Sequence, residues 1–354
     1  MHRDESDKPL IQIKDYKLGR VKAVVRLAES NANRSAEKAL NVLKVGLWFE
    51  GLRARMGRPT AYRLGQVLQP CTYLKGEHHH NLWAKYALGK HVPGAETLRT
   101  TEAAMAGSSE ILMAAAWDAL DISRPVGVNA DTLLKRLGPG IQMAIFDQQA
   151  LERGRYVRRK ATRQVTRRLE GQAGLDSLAA LVVLLREAHE AGNQGRAFEL
   201  GRSLHASLFL ATIEGPLWEI AEELFAYFIC FIFPLAEDKE LAFDLHPRIM
   251  QRQAFCFSRV LLQLEDAGWD GYLPGGHTRQ LRRLLTIDFG FDLFFGLGPR
   301  FRLTQPVEQS SENAKRWVAE QDIAWEWGLR TLHAGRRERL MPDEVRDRIA
   351  AWRA

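Results

Sequence analysis

Hydrophobic positions recur along this chain mostly at three- and four-residue intervals, the spacing that gathers them on one side of a helix. The pattern is weakest at the start. Residues 1–33 read as an N-terminal extension, in which Leu10-Ile11-Gln12-Ile13-Lys14 predicts a short strand. Over residues 35–55 the stripe Ala39, Leu40, Leu43, Leu47 and Leu52 predicts a helix, with Ser35 as its N-cap and Gly57 as its stop. Gly57-Arg58-Pro59-Thr60 then breaks the chain, and Thr60 is placed to cap a helix through Leu68. Residues 70–80 read as a loop and 81–88 as a short helix ended by Gly89. Two further helices follow, 95–106 ended by Gly107 and 110–120 capped by Ser108. Residues 34–122 thus predict a small helical domain.

A stretch rich in proline and glycine, 124–140, predicts a connector. Residues 141–170 predict one continuous helix. A glycine-bounded break at 171–174 marks the predicted domain boundary. Longer helical patterns occupy 175–191, 195–211, 216–237, 246–267, 277–295, 312–332 and 342–352, with loops at 268–276 and 296–305. The run Leu-Ala-Ala-Leu-Val-Val-Leu-Leu at 178–185 is apolar on nearly every face, which predicts a central helix. The fold class is therefore all-α: a basic N-terminal multi-helix module followed by a larger helical domain over 171–354.

Composition supports a folded globular chain: of 354 residues, 46% are hydrophobic and 26% charged. The longest uncharged apolar run, 224–236, has 13 residues, short of the roughly 20 that span a membrane. The start of the chain is polar and predicts no signal peptide. Cys71, Cys230 and Cys256 are too widely spaced to suggest a disulfide framework or a paired metal site. These features predict a cytoplasmic protein with no membrane partner.

Charge changes the picture more. Residues 1–170 hold 29 Lys and Arg against 17 Asp and Glu, a net of +12; the chain total is +7, so the remainder carries −5. A polyanionic partner would therefore face the first half. Arg153, Arg155, Arg158, Arg159, Lys160, Arg163, Arg167 and Arg168 place eight cations in sixteen residues with no acid between them. On a continuous helix Arg155, Arg159 and Arg163 share one face and repel one another. A phosphate backbone would relieve that repulsion; acids from the second half are the alternative. Tyr156 lies among them as a candidate base-stacking ring.

The second informative segment is 81–98. A short helix bearing Trp83 and Tyr86 ends at Gly89, Lys90 and His91 form a basic turn, Pro93 follows, and a second helix opens near Glu96-Thr97-Leu98. The spacing of Tyr86, Gly89, Pro93, Thr97 and Leu98 resembles the later part of lambda-repressor-like helix-turn-helix domains, over about residues 62–112. The resemblance implies that 81–90 is the recognition helix, with His80, Asn81 and Lys85 toward DNA. The family joins its two helices through a turn of 3–4 residues; here the connection runs from about 69 to 80.

Other clusters carry thinner chemistry. His78, His79 and His80, with Cys71 and His91 nearby, do not have zinc-ligand spacing, so no metal or cofactor is assigned. Asp288 and Asp292, with Asp270, are the carboxylates that a metal-dependent nuclease would use, and no Walker, HExxH or GxSxG motif accompanies them. Trp317, Trp325 and Trp327 suit either core packing or a protein interface. The sequence thus predicts a nucleic-acid-binding protein with duplex DNA as the leading partner, a transcriptional regulator or mobile-element accessory factor; a metal-dependent nucleic-acid enzyme using Asp288 and Asp292 is the third reading. Its candidate contacts are His80, Asn81, Lys85, Lys90, Arg155, Arg158, Arg159, Lys160, Arg163 and Arg167. The alternative is a helical scaffold that docks RNA or an acidic protein, with the C-terminal domain open to a partner or a second copy.

Overall fold

A computed structural model describes residues 7–30, 34–72, 81–160, 162–213, 215–266, 277–286, 290–335 and 338–352. The described chain is all-α apart from one two-stranded ribbon. The first helix, α1 (Asp7–Glu29), lies against α2 (Ser35–Arg55). It covers 10–14, so the predicted strand there is corrected. The second half of the helix supplies the reason: it buries Arg20, Val21 and Val24 along one stripe against α2 and a later helix, and tertiary packing of that stripe overrides the local β preference. Helices α3 (Ala61–Leu68), α4 (Leu82–Ala87) and α5 (Ala95–Ala104) follow. Thr60 does cap α3, its hydroxyl accepting from the Arg63 N–H at 3.2 Å. The predicted helix 110–120 is two pieces, α6 (Glu110–Met113) and α7 (Ala116–Leu120).

The predicted connector is partly helical. It contains α8 (Ala130–Lys135) and leads into α9 (Pro139–Ile145). Residues from later in the chain hold it. Glu190 accepts the backbone N–H groups of Val126 at 2.7 Å and Gly127 at 2.9 Å. Buried Arg186 donates to the carbonyls of Ala119 and Arg124. The continuous helix expected over 141–170 is also corrected. It divides into α9, α10 (Gln148–Glu152) and α11 (Arg163–Glu170), with an extended segment between the last two.

The remaining helices are α12 (Leu175–Glu190), α13 (Gln194–Ile213), α14 (Ala221–Tyr227), α15 (Pro247–Asp266), α16 (His277–Leu285), α17 (Glu312–His333) and α18 (Asp343–Ala350). The predicted helix 216–237 is a 3₁₀ turn, then α14, then a π-helical turn at Phe228–Ile232 and another 3₁₀ turn. The expected loop at 296–305 contains β2 (Phe301–Leu303), antiparallel to β1 (Leu241–Phe243) with Ala242 opposite Arg302. Helix α12 is central as its apolar run predicts: Leu178 through Leu185 are all buried. The largest core draws residues from Val21 to Phe301. Packing therefore continues through the glycine break at 171–174, where the domain boundary was expected. Two smaller cores flank it, one built on α2 to α4 and one on α15 to α17.

Four charges sit inside this packing. Arg20 is fully buried. Its Nε donates to Glu223 at 2.6 Å, one terminal nitrogen to Glu50 at 3.0 Å and the other to the Ala87 carbonyl at 2.6 Å. Arg53 completes the group, 2.6 Å from the other Glu50 oxygen. Two cations thus meet two carboxylates, and α1, α2, α4 and α14 are joined at one point. Burial by itself would lower the Arg20 pKa, but Glu223 and Glu50 outweigh it and hold the value above the ordinary one.

Candidate nucleic-acid interface

The arginine-rich segment owes its shape to local geometry. Asp147 caps α10 by accepting the Ala150 N–H at 2.9 Å. Gly154, at φ 70°, turns the chain back. Residues 155–160 then run extended beside the end of α9, with Asp147 N–H donating to the Val157 carbonyl at 2.8 Å and Arg159 N–H to the Ile145 carbonyl at 2.9 Å. Arg155, Arg159 and Arg163 consequently do not share a helix face. A helix through them would have stacked like charges one turn apart; the extended path separates them.

Two of the predicted contacts are used internally. Arg158 makes a forked pair with Glu187 at 2.6 and 2.7 Å and approaches Asp131 at 3.1 Å. Those hydrogen bonds outweigh burial and raise its pKa. The Arg159 Nε donates to the Phe146 carbonyl at 2.8 Å. Arg158 is therefore corrected from a free phosphate contact to a cation paired within the fold, while Arg159 spends one nitrogen on the backbone and makes no ion pair among the described residues. Arg153, Arg155, Lys160, Arg163, Arg167 and Arg168 are exposed and make no ion pair among the described residues. Tyr156 packs edge-on against Phe146 at 5.2 Å, and the Lys135 ammonium lies 5.1 Å from its ring centroid. The ring is 42% exposed and stands as the aromatic element of a basic surface.

Helix α11 orders half of that surface. It buries Val165, Thr166 and Leu169, and the 3.6-residue period then turns Arg163, Arg167 and Arg168 outward. Its last residue, Glu170, is buried and lies 3.4 Å from Arg282 of α16. This pair brings a second basic helix to the end of the first, with Arg279 exposed on it. The sequence reading missed α16 as a basic element. Its signal was legible in His-Thr-Arg-Gln-Leu-Arg-Arg-Leu-Leu, where Arg279, Arg282 and Arg283 alternate with a leucine stripe.

The other predicted contact region is built differently. Asn81, Lys85 and Lys90 are exposed at and around α4, and His80 lies outside the described residues. Helix α4 has six residues, about 9 Å of axis. Trp83 and Tyr86 are buried against Trp48, with ring centroids 5.7 and 5.4 Å away. Gln69 accepts from the Trp83 indole at 3.0 Å and donates to the Thr97 hydroxyl at 3.1 Å, and that hydroxyl lies 3.3 Å from the Tyr86 hydroxyl. Gly89 adopts φ 65°, and a Cβ there would come within 2.8 Å of Val42. Tyr86, Gly89, Pro93 and Thr97 are all buried. The spacing that resembles the helix-turn-helix family therefore coincides here with the packing positions of a small core that fixes α4 on α2.

Of the three carboxylates considered for metal chemistry, Asp292 lies among the described residues. Asp288 and Asp270 lie outside the described residues. Asp292 accepts the Met341 N–H at 2.9 Å and approaches Arg346 at 3.5 Å, which ties the segment before β2 to the start of α18. Among the described residues no group of three His, Cys, Asp or Glu is placed to hold a metal ion. His78 and His79 also lie outside them. Trp317 packs on Phe301 at 4.8 Å, Trp327 is buried, and Trp325 donates to the Gly298 carbonyl at 3.2 Å, so all three serve packing. Among the described residues no helix is long and apolar enough to cross a membrane. No protein-family model, curated protein sequence or solved structure matches this chain.

Proposed function

We propose that this chain binds nucleic acid, with duplex DNA as the leading partner, through the surface formed by residues 153–160 and the outer face of α11. The observation that carries this reading is the group of six exposed cations without an ion-pair partner among the described residues. The fold pairs other cations with carboxylates, Arg20, Arg53 and Arg300 among them. Here it leaves a dense row of cations in water, and a phosphate backbone is the polyanion whose regular charge spacing suits such a row. Arg163, Arg167 and Arg168 would neutralise phosphates from a helix. Arg153, Arg155 and Lys160 would do so from the extended segment. Asn81, Lys85 and Lys90 form the second contact set, offering polar groups to base edges from the short helix α4. A role as a transcriptional regulator or mobile-element accessory factor belongs to this proposal.

The test is a titration of the full chain against a random duplex pool and against RNA at several salt concentrations. Affinity is expected to fall steeply with salt. Arg163→Ala/Arg167→Ala/Arg168→Ala should lower the slope of log affinity against log salt by about 0.9 for each lost phosphate contact on duplex DNA. Failure of the wild-type chain to retain either nucleic acid at low salt would overturn the reading.

A further inference from the structure

Helix α15 is amphipathic in an unusual way. Its 20 residues bury Met250, Ala254, Phe257 and Leu261 in the protein. An ordinary surface helix would then turn mixed charges to water. The outer side of α15 instead carries Arg248, Arg252, Phe255, Arg259 and Leu262, all exposed, at successive steps of four, three, four and three residues. That 3.5-residue average is the repeat along which one helix lies beside another. Phe255 is 53% exposed and Leu262 60%, one heptad apart on the same line. The three arginines make no ion pair among the described residues.

We infer that the outer face of α15 is a docking seam for an acidic amphipathic helix of a partner protein, with Phe255 and Leu262 as the apolar anchors and Arg252 and Arg259 as the charge contacts. Charge decides the occupant. A second copy of α15 would bring its own three arginines against these, with Asp266 as the one acid among the described side chains on the line, and like charges across such a seam disfavour pairing. The stripe is also a single side chain wide. A membrane surface needs a broad apolar face, whereas a helix-in-groove partner needs anchors at i and i+7 with complementary charges beside them. Arginine suits this place because its stem covers apolar surface while its fork pairs with carboxylate.

The inference is independent of the nucleic-acid reading, since it concerns a different helix and a different partner. The test is selection of a displayed library of 21-residue helical peptides against the full chain, with Phe255→Ser/Leu262→Ser as the counter-selected variant. Its fold is checked by an unchanged unfolding midpoint. Enriched peptides should carry two apolar residues seven apart, flanked by Asp or Glu. Such a peptide should lose about tenfold or more in affinity for Arg252→Glu/Arg259→Glu, and its Glu-to-Lys counterpart should bind that variant instead. Peptides that enrich without acids, or that bind the variants equally well, overturn the proposal. So does complete displacement by duplex DNA or by phosphatidylserine vesicles that themselves need Arg252 and Arg259 but not Phe255 or Leu262.

Discussion

The arginines at Arg20 and at Arg163, Arg167 and Arg168 are the same chemical group in opposite settings. Arg20 has no exposure and three hydrogen-bond acceptors, two of them carboxylates. The α11 arginines are exposed and make no ion pair among the described residues. A buried guanidinium is tolerable only when its donors are satisfied and its charge is met, so Arg20 is committed to the fold. An exposed one loses nothing by pointing at water and remains free to meet a phosphate. The contrast separates residues that hold this protein together from residues available for work.

The largest effect should come from breaking the committed set. Arg20→Ala leaves Glu223 buried without its cation and Glu50 with Arg53 alone, and removing one partner of a buried pair costs about 3–5 kcal/mol. Urea unfolding should show that loss. A variant with wild-type stability would mean that water or local movement relieves the carboxylates and that the group is not the joint described above.

A third basic group sharpens the comparison. His205 is buried like Arg20, but next to Phe209 and Phe233 instead of carboxylates, and its Nε2 has no hydrogen-bond partner. Burial pushes its pKa down to about 3. In the unfolded chain an imidazole titrates near 6.5. Between those values the unfolded state binds the extra proton, so stability rises with pH and is lost as pH falls below about 6.5. At pH 5 the loss attributable to His205 should be about 2 kcal/mol. Denaturant titrations at pH 7 and pH 5 should show it in the wild type, and His205→Leu should remove that share of the difference. An unaltered pH dependence in the variant would show that the buried imidazole takes up its proton as readily as it does in the unfolded chain.

The exposed set should behave in the reverse way to Arg20. Arg163→Ala/Arg167→Ala/Arg168→Ala should leave the unfolding midpoint in place while weakening nucleic-acid binding evenly across sequences. Loss of stability instead would make these arginines structural. The smallest effect belongs to α4. Asn81→Ala and Lys85→Ala should lower affinity only modestly and relax sequence preference, read by sequencing the retained duplexes.

Much of the fold was legible because helical periodicity is a local property. The stripe of α2, the Thr60 cap of α3 and the wholly apolar run of α12 needed no knowledge of neighbours. The errors arose where neighbours decide. Residues 10–14 alternate like a strand, yet they belong to a helix whose later turns bury against α2. The segment 141–170 has helical composition throughout, yet Asp147, Gly154 and the carboxylates Asp131 and Glu187 together break it. The basic surface was legible as a density of charge; which of its arginines stay unpaired was not, because Glu187 lies 29 residues from Arg158.

By itself the sequence determined an all-α fold, a central α12, a strongly basic segment near 153–168 and the absence of familiar catalytic motifs. These follow from residue type and spacing along the chain. The tertiary structure alone decided that Arg20 meets Glu50 and Glu223, that Arg158 and Arg159 are occupied while Arg163 and Arg167 are not, that α16 adjoins α11, and that the arginines of α15 share a line with Phe255 and Leu262. Each of these depends on how far a charge is from water and from an opposite charge, and that distance is set by packing between segments remote in sequence.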